Sequence, residues 1–86
     1  MKKYIFHTDP GHGWLAVKRK ELKDLGILDK ISGCSYQKGS TVYLEEDCDA
    51  SIFIRTLREK GIEVTYQESY REYTPIRSYD CFDPVG

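Results

Sequence analysis

Two rhythms of apolar and polar residues run along this chain, and together they predict a β-β-α-β-β-α-β order. Tyr4-Ile5-Phe6 is short, apolar and rich in β-formers, so it reads as a first strand. His7 to Gly13 breaks that pattern with Asp9-Pro10-Gly11, which is turn chemistry. Trp14-Leu15-Ala16-Val17 reads as a second strand. Lys18 to Leu25 reads as a short helix in which Leu22 and Leu25 share a face and Gly26 supplies a left-handed stop. Ile27, Leu28 and Ile31 extend the helical spacing by a turn. A hairpin is then expected from Gly33–Tyr36 and Thr41–Leu44, around a Gln37-Lys38-Gly39-Ser40 loop.

The second helix has the clearest signature. Ala50, Phe53, Ile54 and Leu57 fall at i, i+3, i+4 and i+7, one apolar stripe. Asp47 or Asp49 is placed to cap its start, and Lys60-Gly61 to close its end. Ile62, Val64 and Tyr66 alternate with Glu63 and Thr65, the period of a half-buried strand. From Gln67 the alternation weakens. Tyr70, Tyr73, Ile76, Tyr79 and Phe82 are interleaved with charge and proline, so this stretch reads as an arm with one more edge strand and a loosely held tail. The expected fold is α+β: a small, mostly antiparallel sheet with two helices. Residues 1–68 form a single domain, and residues 69–86 form a tyrosine-rich arm belonging to it.

At 86 residues the chain supports one modest core. A net charge of −1 excludes a strongly basic nucleic-acid binder or a heavily acidic DNA mimic as a description of the whole molecule. The charge is unevenly spread, +4 through Tyr43 and −5 from Leu44 onward. Such asymmetry suits a homodimer with oppositely charged faces. Cys34, Cys48 and Cys81 make an odd count with no Cys-x-x-Cys pair, which argues against a secreted disulfide framework. No apolar run spans a bilayer, and the start of the chain turns polar too soon for a signal peptide. The expectation is a protein of the reducing cytoplasm without a membrane partner.

Three groups of residues carry candidate chemistry. His7, Asp9 and His12, with Trp14 as a wall, offer oxygen and nitrogen ligands for zinc or a small ligand. The spacing matches no established metal motif, and a tight β-β connection explains the same residues, so no cofactor is expected there first. Lys18, Arg19, Lys20 and Lys23 form a basic segment able to touch nucleic-acid phosphates, although Glu21 and Asp24 partly offset it. Tyr70, Tyr73, Arg77 and Tyr79 combine the two residue types enriched at interface hot spots, and make the arm the leading candidate for a partner surface. No sequence signature frames a cysteine nucleophile or a phosphate loop, which leans the reading away from an enzyme.

The strings His7-Thr8-Asp9-Pro10-Gly11-His12-Gly13-Trp14-Leu15, Ser35-Tyr36-Gln37-Lys38-Gly39 and Tyr43-Leu44-Glu45-Glu46-Asp47-Cys48-Asp49-Ala50 resemble a group of short uncharacterised proteins of bacteriophages and plasmids. The resemblance runs from about Tyr4 to about Tyr79. It implies a setting rather than an activity: a small accessory protein of a mobile element that works in a bacterial cell by binding a host protein, in some cases a component of host defence.

Overall fold

A computed structural model describes residues 2–85. Its elements are β1 (Lys2–Thr8), β2 (Gly13–Lys18), α1 (Arg19–Asp24), β3 (Tyr36–Lys38), β4 (Thr41–Glu45), α2 (Ala50–Glu59), β5 (Val64–Tyr70) and β6 (Asp80–Cys81). Single 3-10 turns lie at Leu28–Lys30 and Pro75–Ser78. The six strands form one sheet in the order β5-β1-β2-β4-β3-β6. Every pairing is antiparallel except β1 with β5. The fold is the expected α+β class.

The core follows from strand alternation. Phe6 sits opposite Leu15, and Leu15 opposite Leu44, so these side chains share one face with Tyr4, Val17 and Val42. The buried stripe of α2, Ala50, Phe53 and Leu57, covers that face with Leu22 of α1. Phe53 is fully buried, and its ring meets Tyr4 edge-on at 5.3 Å. Burying a Phe or Leu here stabilises the fold by roughly 1.5–3 kcal/mol each. The helices end where glycine was expected to end them. Gly61 takes φ 75°, its amide donates to the Arg58 carbonyl, and the Ile62 amide donates to Leu57. Gly26 and Ile27 repeat the pattern on Lys23 and Leu22. Both are Schellman closures, which satisfy the last carbonyls of a helix.

Three local expectations need correction. Neither Asp47 nor Asp49 caps α2 through its side chain. Asp49 instead turns inward, where its Oδ2 accepts hydrogen bonds from the Ser32 amide, the Ser32 hydroxyl and the Ser35 hydroxyl at 3.0, 2.9 and 2.6 Å. That hub holds 32–35 as a turn, so the first strand of the hairpin is Tyr36–Lys38, later than expected. The connection shrinks to Gly39-Ser40, the two-residue turn that suits strand twist. Finally, the strand after α2 continues to Tyr70. It is an edge strand with only Val64 and Ser69 half-buried, so pairing with β1 along its whole length holds it without an apolar alternation.

The remainder of the chain is tied down. It leaves β5 at one edge of the sheet and returns as β6 at the other. Between them, 71–79 crosses the face opposite the helices, where Arg77 lies over Trp14 and Tyr79 packs on Tyr43. Phe82 is buried in the main core, its amide donates to the Ser35 carbonyl, and Arg19 holds the Asp83 carbonyl at 2.7 Å. The chain up to Asp83 is a strap, not the loose tail that its interleaved charges suggested.

Candidate partner-binding site

The strap closes on the β1–β2 connection through one carboxylate. The Asp9 amide donates to the His12 carbonyl at 2.9 Å, and Asp9 Oδ1 accepts from the Gly11 and His12 amides, each at 2.9 Å. This is the tight turn that Asp-Pro-Gly encodes. The same carboxylate also reaches across the sheet. Arg77 donates Nε to Oδ2 at 2.9 Å and Nη2 to Oδ1 at 3.0 Å, a bidentate pair, and the Thr74 hydroxyl donates to Oδ2 at 3.2 Å. The Asp9 side chain is only 4% exposed. The Arg77 guanidinium beside it, helped by the turn amides and Thr74, holds its carboxyl well below the usual carboxylate range against the opposing effect of burial. Asp9 in turn pushes Arg77 up.

Beneath the strap lies a second, smaller apolar layer. Trp14 and Ile76 are buried outside the main cluster. Trp14 meets Arg77 on one side, His12 and Tyr36 on others, and its Nε1 is buried with no hydrogen-bond partner. Tyr43 lies between His7 and Tyr79, and Lys38 sits 4.7 Å from the Tyr79 ring centre. Burial, with Tyr79 close by, raises the Tyr43 pKa; burial and then Arg71 lower that of His7.

The four arm residues divide into two pairs. Arg77 and Tyr79 face inward, on Asp9 with Trp14 and on Tyr43 respectively. Tyr73 and Tyr70 face solvent, 89% and 57% exposed, and Tyr70 donates to Glu72 at 3.1 Å. Beside them opens a cleft of about 490 Å³ lined by Pro10, Gly11, Glu72, Tyr73, Pro75 and Ser78, with Asp9, Thr74 and Arg77 completing it. The strap rim is fixed by buried Thr74 and Ile76 on either side of Pro75, and the Pro10–Gly11 rim by the Asp9 turn bonds. Arg77 drew notice in the sequence for its type alone. Its pairing with Asp9, 68 residues away, had no signal there.

The zinc candidates do not converge. The carboxylate of Asp9 is spent as above. His7 packs on Tyr43, while His12 Nδ1 stands 3.4 Å from Glu45 Oε1. Among the described residues no group of three or more His, Cys, Asp or Glu is placed to hold a metal ion. His12, Glu45, Cys34 and Cys48 do share a hollow of about 400 Å³ beside Trp14. There, hydrogen bonding to Cys34, burial and nearby Glu45 push the Cys48 thiol up to about 12.

The basic segment is likewise divided. Arg19 donates to Gln37 at 3.2 Å and lies over Phe82, and Lys20 pairs with Asp24 at 2.8 Å. Lys18 ends β2 and Lys23 lies in the last turn of α1, both exposed. Arg19, Lys20 and Lys23 border one hollow with Asp24. No helix is long and apolar enough to cross a membrane among the described residues. Comparisons with protein-family models, with curated proteins and with solved structures return no match.

Proposed function

We propose that this protein is a non-enzymatic binding module that docks a host protein on the Tyr70–Tyr73 end of its strap. The observation that carries the reading is Tyr73. A large aromatic side chain, 89% exposed, stands on a segment anchored by buried Thr74 and Ile76, next to a cleft with two prolines on its rim. An exposed ring on a fixed backbone loses little entropy when a partner covers it, which is why Tyr is common among hot-spot residues. Arg77 and Tyr79 act in this site as supports that hold the strap in place. The resemblance to phage and plasmid accessory proteins supplies the setting, a bacterial cytoplasm in which the partner is a host component such as one serving defence.

The competing readings ask more of the same residues. A zinc site at His7, Asp9 and His12 requires Asp9 to release Arg77. A nucleic-acid surface at Lys18, Arg19, Lys20 and Lys23 requires Arg19 to leave Gln37 and the Asp83 carbonyl.

Capture from bacterial lysate, with and without nuclease, tests the proposal. The wild-type chain retains a stoichiometric protein after nuclease treatment, and Tyr70→Ala with Tyr73→Ala loses it. Each truncation at a hot spot costs at least about 2 kcal/mol, or roughly 30-fold in affinity. Equal capture by the folded double variant would overturn the reading, and capture abolished by nuclease would transfer it to the basic segment.

A further inference from the structure

We propose that the free edge of β5 is a self-association surface, on which a second copy of this chain adds its own β5 antiparallel to make one continuous sheet. The two ends of the sheet differ. At one end β6 is only the two residues Asp80 and Cys81, with Pro84 three residues on, so it offers little to pair with. At the other, β5 runs for seven residues, and its outer side meets no strand among the described residues. It contains no lysine or proline, two of the usual means of blunting an edge, and Glu68 is its single charge.

The backbone dictates which groups are on offer. The Lys2 amide donates to the Glu63 carbonyl, and the Arg71 amide donates to the Thr8 carbonyl, within a parallel register that pairs Lys2 with Val64 and Thr8 with Tyr70. A residue in a parallel ladder turns its N–H and C=O to the same side. Residues 63, 65, 67, 69 and 71 therefore serve β1, and Val64, Tyr66, Glu68 and Tyr70 present their N–H and C=O groups outward.

An antiparallel copy with its two-fold axis at Gln67 matches this set. Val64 then faces Tyr70 of the second copy, and Tyr66 faces Glu68. All are outward-presenting residues, so each pair exchanges both backbone hydrogen bonds. Between them Thr65 faces Ser69, and Gln67 faces Gln67. The side-chain pairs are aliphatic with aromatic, hydroxyl with hydroxyl, phenol with carboxylate and amide with amide, the kinds that stabilise adjacent strands. Glu68 is the only charge on the strand, and it meets a tyrosine rather than another carboxylate. Tyr66 and Tyr70, 49% and 57% exposed in the single chain, become covered on the α2 side of the joined sheet. A two-fold arrangement closes after one addition, because it consumes the one long open edge among the described residues. The edge shares Tyr70 with the proposed partner site, whereas Tyr73 lies beyond the paired segment, so Tyr73→Ala alone tests partner capture without touching this surface.

Sedimentation velocity of the full chain across a concentration series, joined to amide hydrogen exchange, tests this. The expected result is a species of twice the 10.0 kDa chain mass. The Tyr66, Glu68 and Tyr70 amides are then protected at high concentration and exposed at low concentration. The pairing of 66 with 68 also predicts exclusive partners. Tyr66→Glu sets carboxylates against Glu68 of the second copy, and Tyr66→Lys with Glu68→Lys sets ammonium groups against each other. Each variant alone is monomeric, and an equal mixture forms a heterodimer. Because only outward positions change, the ladder with β1 is kept, and circular dichroism checks that each variant is folded. A chain that stays monomeric throughout the series would overturn the proposal. So would a dimer without concentration-dependent protection of β5, or folded variants that do not recombine on mixing.

Discussion

Ile76→Ala is the sharpest probe of how the strap is held. Ile76 is 3% exposed and lies outside the main cluster, so its side chain serves the strap rather than the helix-covered face. Truncation removes three buried carbons. At roughly 0.8 kcal/mol each, the transfer loss alone is about 2.4 kcal/mol. A cavity that does not collapse raises the cost toward the range of about 2–5 kcal/mol found for Ile to Ala. A domain of this size is stable by roughly 4–13 kcal/mol, so the sheet and α2 remain folded while the strap loosens. Trp14 is the only tryptophan and lies beside Arg77, which makes its emission a direct reporter. The expected outcome is a red-shifted Trp14 emission and faster amide exchange over 74–81, with far-ultraviolet circular dichroism nearly unchanged. Urea unfolding should lose about 2–4 kcal/mol. Tyr73→Ala is the control and should stay within about 0.5 kcal/mol of wild type, because that ring is exposed. An Ile76→Ala protein with wild-type emission, exchange and midpoint would refute the reasoning, since the strap would then owe nothing to its buried residue.

Two further outcomes follow from the titratable groups. Asp9 has a folded-state pKa below its ordinary 3.8, so the stability it adds is complete above about pH 4 and is lost as pH falls further. In the folded wild type Asp9 stays ionised through pH 4, so Trp14 emission should hold there and shift only well below it, whereas Asp9→Asn should show the loosened signal already at pH 7, and an unshifted variant would discard the Asp9–Arg77 lock. The Cys48 thiol, raised to about 12, is almost wholly protonated at pH 8, so its mass-mapped alkylation with iodoacetamide should be slow at pH 8 and still be accelerating above pH 10. A Cys48 rate that has levelled off by pH 10 would show that the Cys34 contact does not hold in solution.

Elements with local signals were legible in the residues alone. The stripe of α2 needed only a period of 3.6 residues, and both helix ends needed only a glycine after the last apolar position. The Asp9-Pro10-Gly11 turn likewise follows from bonds spanning two or three residues. Tertiary structure decided whatever depends on partners far along the chain. Asp49 looked like a helix cap because its neighbours allow one, yet Ser32 and Ser35 from another segment take its carboxylate. β5 carried too little apolar alternation to read to its end, because an edge strand held by β1 buries few side chains. The strap looked loose for the same reason: its anchors are single residues, Ile76, Phe82 and Arg77, spaced among charges. Their partners are Asp9, Trp14, Ser35 and the helix-covered core. Local sequence fixes backbone preference within a few residues, but burial and long-range hydrogen bonds, each comparable in energy to those preferences, choose among the arrangements it permits.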